Sequence, residues 1–169
     1  MVLGELTTLR IQVETFYSKS LVTTELPAAA IQEAADYWIS KARSNSRDWF
    51  LILDMYGGEN SAITRVPNNA TSYPYRGDYL FLYQFYDRVW TGSYPSNGFS
   101  FLDGWVKSIT DRLTVDQWGM YINYADPTMS RKDAQDVYFR TSLDRLKQIK
   151  AQVDPTELFY YPQAVEPAK

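Results

Sequence analysis

Two tyrosines, Tyr121 and Tyr124, stand three residues apart around Asn123 within Trp118-Gly-Met-Tyr-Ile-Asn-Tyr-Ala-Asp-Pro127. The stretch opens as an apolar strand and ends in a polar mouth rich in aromatic rings. The sequence contains no His and no Cys. That removes thiol nucleophiles, His-based triads, disulfides and Cys/His metal sites from this segment. Proton chemistry here falls to Tyr, Asp, Glu or Lys, and a phenol with an ordinary pKa of about 10 is a poor base near neutrality without a partner. Geometry adds a condition. Residues three apart in a regular strand face opposite sides, so Tyr121 and Tyr124 share one site only where a bulge or strand end intervenes near Asn123. With 14 Tyr and 5 Trp, the chain has the rings to stack on flat or sugar-like ligands, and equally those of an ordinary Tyr-rich core.

Several elements must position these residues. Leu9 to Tyr17 alternates apolar Leu9, Ile11 and Val13 with polar neighbours, the period of a half-buried strand. Thr24 is the expected N-cap of a helix that tolerates Pro27 in its first turn, with Ile31, Ala35, Trp38 and Ala42 as its apolar face. Asp48–Tyr56 reads as a strand stopped by Gly57-Gly58, which suits a tight turn or a close approach. A short strand is expected over Ala62–Val66. The aromatic run Tyr79–Val89 reads as another strand, since Tyr and Phe favour one. After a Gly/Pro/Asn loop over Ser93–Gly98, the residues Phe101, Trp105, Ile109 and Leu113 recur at helical spacing. Trp118–Tyr124 is expected as a strand. Ser130 with Asp133 resembles a capping box opening a helix to about Phe139, and Leu143, Leu146, Ile149 and Val153 carry a further helical face. Interleaved strands and helices without βαβ repeats predict an α+β fold, an antiparallel sheet with helices packed on one side.

At 169 residues with 45% hydrophobic content, the length fits one domain or a large piece of one. The net charge of −3 with no basic run gives no electrostatic footprint for nucleic acid or an anionic membrane. No apolar stretch approaches the roughly 20 residues that span a bilayer. MVLGELTTLR has neither the basic nor the apolar region of a signal peptide. Arg145, Lys147 and Lys150 read as a solvated helix face. The aromatic tail Phe159-Tyr-Tyr-Pro162 is expected to pack. Asn69-Ala-Thr71 is an N-glycosylation sequon, a pattern that polar loops also produce by chance.

Trp118–Pro127 resembles the signature near the C-terminus of berberine-bridge-enzyme-like flavin oxidases, and within them the oligosaccharide oxidases. Asp154-Pro-Thr-Glu-Leu-Phe159 followed by Tyr161-Pro-Gln-Ala164 resembles the closing motif of that family. Tyr73-Pro-Tyr-Arg76 followed by Tyr83-Gln84 resembles its aromatic-Pro-His-Arg motif and Gln-containing strand, and the three motifs stand in the family's order. The resemblance implies the C-terminal portion of a larger, secreted enzyme. Residues 1–130 would form part of a substrate domain, while the helices and tail of residues 131–169 would return toward an N-terminal FAD-binding part outside this chain. It implies oxidation of the C1 hydroxyl of a reducing-end oligosaccharide to the lactone, with FAD as cofactor and molecular oxygen reduced to hydrogen peroxide.

By motif match, Tyr124 is the base that takes the C1-hydroxyl proton and Asp54 is its acidic partner. A carboxylate beside a phenol raises the phenol pKa, so the pair would work as a relay in which Asp54 receives the proton that Tyr124 gives up. Tyr121 and Gln84 match the positions that stack on the sugar and bind its hydroxyls, and Asn123 and Ser142 match flavin-side contacts. Tyr75 stands where the family usually carries His, Ile52 where the sugar oxidases often carry Gln, and Ser142 where many members carry Asn. The sequence has neither the His and Cys that attach the flavin nor a Gly-rich loop to cradle it, so this segment alone is expected to be inactive. Two other readings use the same residues: a berberine-bridge-like oxidase of a non-sugar substrate, and a carbohydrate-binding module without redox chemistry.

Overall fold

The computed structural model describes residues 14–169. Four strands, β1 (Thr15–Thr23), β2 (Asp48–Met55), β3 (Phe81–Val89) and β4 (Trp118–Gly119), pair antiparallel in the order β2-β3-β1-β4. Helices α1 (Ala28–Tyr37) and α2 (Ser96–Thr110) cover one face, with α2 against β1 and β3. This is the predicted α+β architecture. The pleat dictates it: Tyr17 and Leu21 of β1 and Tyr83 and Phe85 of β3 point to one side. There they form one core with Phe101, Leu102, Trp105 and Ile109 of α2. Alternate residues Ser18, Ser20, Leu82, Gln84, Ile52 and Asp54 point to the opposite, open face.

The predicted strand over 48–56 and the one over 79–89 are both present. So are the helical face Phe101–Trp105–Ile109 and the last two helices, α3 (Arg131–Phe139) and α4 (Leu143–Val153). α2 begins at Ser96, inside the predicted loop. The strand expected over 9–17 lies largely outside the described residues, and within them β1 runs on to Thr23. Ala62–Arg65 is a 3₁₀ turn rather than a strand, because the Ser61 hydroxyl caps it by accepting from the Ile63 N–H. At α1, Pro27 rather than Thr24 stands at the N-cap, and no side chain caps the helix. The apolar face differs in part: Ala42 is buried in the core as expected, but Ile31 and Trp38 are exposed, whereas Ala30 is buried and Ala34 and Tyr37 pack on the core. The small alanines let α1 approach α2 closely enough for the Tyr37 hydroxyl to reach the Phe101 carbonyl, at 2.7 Å.

Gly57 and Gly58 act as expected. A Cβ at Gly57 would overlap the Tyr79 carbonyl, and Gly58 takes a φ of 98°. The Ser130 hydroxyl accepts from the Asp133 N–H at 3.2 Å and donates to the Asp133 carboxylate, half of the predicted capping box. α3 closes the β4 edge, since the Met120 N–H donates to the Val137 carbonyl. The basic stretch is only partly solvated, because Lys147 pairs with Glu166 and Lys150 with Asp154. The tail departs most from expectation. Leu158, Phe159 and Tyr160 are 78%, 76% and 65% exposed, because none of the described residues folds over them.

Candidate active site

Register places the site. On the open face, Ile52, Gln84 and Ser20 form one row across β2, β3 and β1. The Ser20 hydroxyl continues that row to Tyr121 by accepting from its N–H at 2.7 Å and donating to its carbonyl at 3.1 Å. The next row is Asp54, Leu82, Val22 and Gly119. Asp54, Gln84 and Tyr121 come from distant parts of the sequence, and the sheet gathers them on one side.

The predicted strand over 118–124 stops at Gly119, and Ile122–Tyr124 forms a 3₁₀ turn with the Tyr124 N–H donating to the Tyr121 carbonyl. In 3₁₀ geometry residues i and i+3 eclipse, which meets the condition for Tyr121 and Tyr124 to share a site. Their rings pack edge to face, 5.6 Å between centroids at 87°. The Asn123 side-chain amide donates to the Tyr121 hydroxyl at 2.6 Å.

A tyrosine cluster joins this turn to the end of β2. Tyr73 packs edge-on against Tyr121 at 5.5 Å and donates to the Tyr56 hydroxyl at 3.1 Å, and Tyr56 in turn donates to the Tyr75 carbonyl. Burial raises the Tyr56, Tyr73 and Tyr75 phenols above their usual range. They therefore stay neutral and act as fixed donors around the site. Tyr56 lies two residues beyond Asp54 in the chain, so the cluster links the segment that follows β2 to the Tyr121–Tyr124 turn.

Asp54 is exposed, and no hydrogen bond joins it to Tyr124. Gln84 is half-buried near the middle of the sheet. Ser142 is buried, with its hydroxyl toward the Thr71 carbonyl at 3.4 Å. Local pattern held no hint of Ser20, whose part depends on strand register. It also missed the aromatic stack beside the Gln84 row, where Tyr86 lies between Phe16 at 4.9 Å and Phe50 at 4.7 Å. Alternation within each strand would have put those three rings on one face once the pairing was known.

Residues 120–166, which include the Tyr121–Tyr124 turn, match the family model described as berberine and berberine like. A xylooligosaccharide oxidase of Thermothelomyces thermophilus is 59% identical over 94% of this chain and 32% of its own length. A carbohydrate oxidase of Microdochium nivale is 49% identical over 93% of this chain and 32% of its own length. Among solved structures, a xylooligosaccharide oxidase from Myceliophthora thermophila in complex with xylobiose superimposes with a TM-score of 0.88 at 59% identity. It covers 94% of this chain and 34% of that one. Berberine bridge enzyme itself, at 17% identity and a TM-score of 0.72, shares the fold. The chain spans about a third of the length of the curated relatives it matches; it carries the berberine-like domain over residues 120–166 and is similar along nearly all of its length to oligosaccharide and carbohydrate oxidases.

Proposed function

We propose that this chain forms the substrate-facing wall of an FAD-dependent oligosaccharide oxidase that converts the C1 hydroxyl of a reducing-end sugar to the lactone. One observation carries it. The Tyr121–Tyr124 turn, Asp54 and Gln84 converge on a single open face of the sheet, beside a stack of aromatic rings. Tyr121 and the Phe50–Tyr86 stack offer apolar faces for sugar C–H groups, while the Gln84 amide supplies both a donor and an acceptor for hydroxyls. Tyr124 takes the C1-hydroxyl proton, and Asp54 serves as the acceptor to which that proton is relayed.

A bound flavin would supply the acceptor for the C1 hydride, with molecular oxygen as the final oxidant and hydrogen peroxide as its product. The residues present suit facing a flavin rather than holding one. The sequence has no His or Cys for a covalent link, and the glycines at Gly57 and Gly58 lead into a 3₁₀ turn instead of a phosphate-cradling helix. Asn123, exposed beside Tyr121, remains the flavin-side candidate, together with Ser142. Holding the cofactor thus falls to an N-terminal part outside this chain. Within residues 131–169, α3 is anchored in the core and the apolar tail Leu158–Tyr160 is the surface offered to that part. Export and glycosylation of the exposed Asn69 belong to the same proposal.

The test is an absorbance spectrum of the full-length protein together with peroxide release on xylo-, cello- and chito-oligosaccharides. The xylo series comes first because of the 59% identical relative. Flavin bands with peroxide from one series support the proposal. Sugar binding by a colourless protein would leave a binding module, and peroxide only from non-sugar alcohols would leave a berberine-bridge-like oxidase of another substrate.

A further inference from the structure

β1 passes directly beneath the Tyr121–Tyr124 turn, and its side chains hold the turn from both faces of the sheet. On the open face, Ser20 is 0% exposed and binds both backbone groups of Tyr121 with one hydroxyl. It does so where the β1–β4 ladder has ended, the last backbone pairing being Val22 with Gly119. The side chain therefore extends the ladder past its last rung.

On the helix face, Asp126 is 1% exposed and every polar group it has is engaged. Its carboxylate accepts from the Tyr17 hydroxyl at 2.8 Å, from the Lys19 ammonium at 2.8 Å, and from the Thr128 N–H and hydroxyl at 2.9 and 2.7 Å. Its N–H donates to the Tyr138 hydroxyl at 2.8 Å, and its carbonyl accepts from Gln163 at 2.6 Å. Lys19 also reaches Asp103 of α2 at 2.7 Å. A buried ion pair is a weak source of stability, since a well-packed apolar replacement is often no worse. What such directional bonds supply well is position. Residues 122–125, Tyr124 among them, hang between these two anchors.

We propose that Ser20 on one face and the Lys19–Asp126 pair on the other are positioning residues for the catalytic turn, fixing where Tyr124 stands over the open face. Their part in turnover presupposes the oxidase chemistry proposed above, whereas their hold on the turn does not.

The experiment uses the full-length holoenzyme with Ser20→Ala, Ser20→Thr and the double variant Lys19→Met/Asp126→Asn, which removes the pair and leaves no buried charge unpaired, the Asp103 side chain being half exposed. Three quantities are read: kcat and KM, thermal midpoint, and amide hydrogen exchange of the segment 118–130. Ser20→Ala should lower kcat roughly 10- to 100-fold through misplacement alone, with KM within about twofold. It should speed exchange over 120–126 while leaving other segments unchanged, and Ser20→Thr should restore most of both. The double variant should likewise speed exchange in the turn. Should the wild-type protein show no oxidase activity, the functional proposal falls, and the local exchange still decides the clamp. Unchanged exchange in both variants, or a Ser20→Ala effect confined to KM, would overturn it.

Discussion

Tyr75 lays its ring across the place where residue 119 would carry a Cβ, so β4 admits only glycine at Gly119. The same phenol hydroxyl bonds to the Val137 carbonyl, which also receives the Met120 N–H. The residue that stands where the family usually carries His thus packs the sheet edge from which the Tyr121–Tyr124 turn departs. Gly119→Ala must push this ring away, and overpacking of a filled site typically costs about 1–3 kcal/mol. Denaturant unfolding of the full-length protein should show a loss of that size or larger. An unchanged midpoint would mean that the ring moves freely.

The Asp126 carboxylate gives a pH signature. Burial opposes its charge, but the Lys19 ammonium and the two Thr128 donors outweigh burial and hold its pKa below the usual carboxylate range. A pKa depressed in the folded state contributes stability above the unfolded value of about 3.9, and that contribution is lost as pH falls through the folded value. Compared with Lys19→Met/Asp126→Asn, the wild type should therefore lose thermal stability more steeply between about pH 4 and the acid limit of folding. Asp126→Asn alone should cost toward the lower end of about 3–5 kcal/mol at neutral pH, because Lys19 keeps Asp103. Parallel melting curves for wild type and double variant across the acid range would contradict this.

Much of this arrangement was legible in local pattern. Continuous aromatic and apolar residues marked β2 and β3, and Phe101, Trp105 and Ile109 marked the buried stripe of α2. Pattern failed where a neighbour far along the chain decides the outcome. Trp118–Tyr124 has the composition of a strand, yet pairing ends at Gly119 and Ser20 takes over. Ile31 and Trp38 looked like the inner face of α1, but α2 accepts the small Ala30 and Ala34 side instead. Tyr121, Tyr124, Asp54 and Gln84 were nominated for the candidate site through motifs. Lys19, Ser20 and Asp126 were not, since a lysine and a serine in a strand become anchors only once register places them beside their partners.

The capping serine of α3 offers a local check. Ser130 accepts from the Asp133 N–H and also binds its carboxylate. Ser130→Ala should destabilise the protein by about 1 kcal/mol, and Ser130→Asp by much less. Equal melting of all three would show that the cap is redundant.

The exposed tail predicts how this segment behaves on its own. Leu158, Phe159 and Tyr160 with Val153 leave a large apolar area uncovered, and such surfaces self-associate or bind hydrophobic dyes. Residues 14–169 expressed alone should do so, and Leu158→Ser with Phe159→Ser should reduce dye binding without lowering the melting temperature. A monodisperse, sharply melting monomer of the unaltered segment would contradict this account of the tail.

The most direct test of the central claim is Tyr124→Phe in the full-length protein, assayed by peroxide release and by sugar binding. The ring and its packing on Tyr121 remain while the phenolic proton acceptor is lost. The account predicts a fall in kcat of about 10²–10⁴-fold with sugar binding retained. Turnover close to that of the wild type would show that the proton leaves by another group, and that Tyr124 is part of the wall rather than the base.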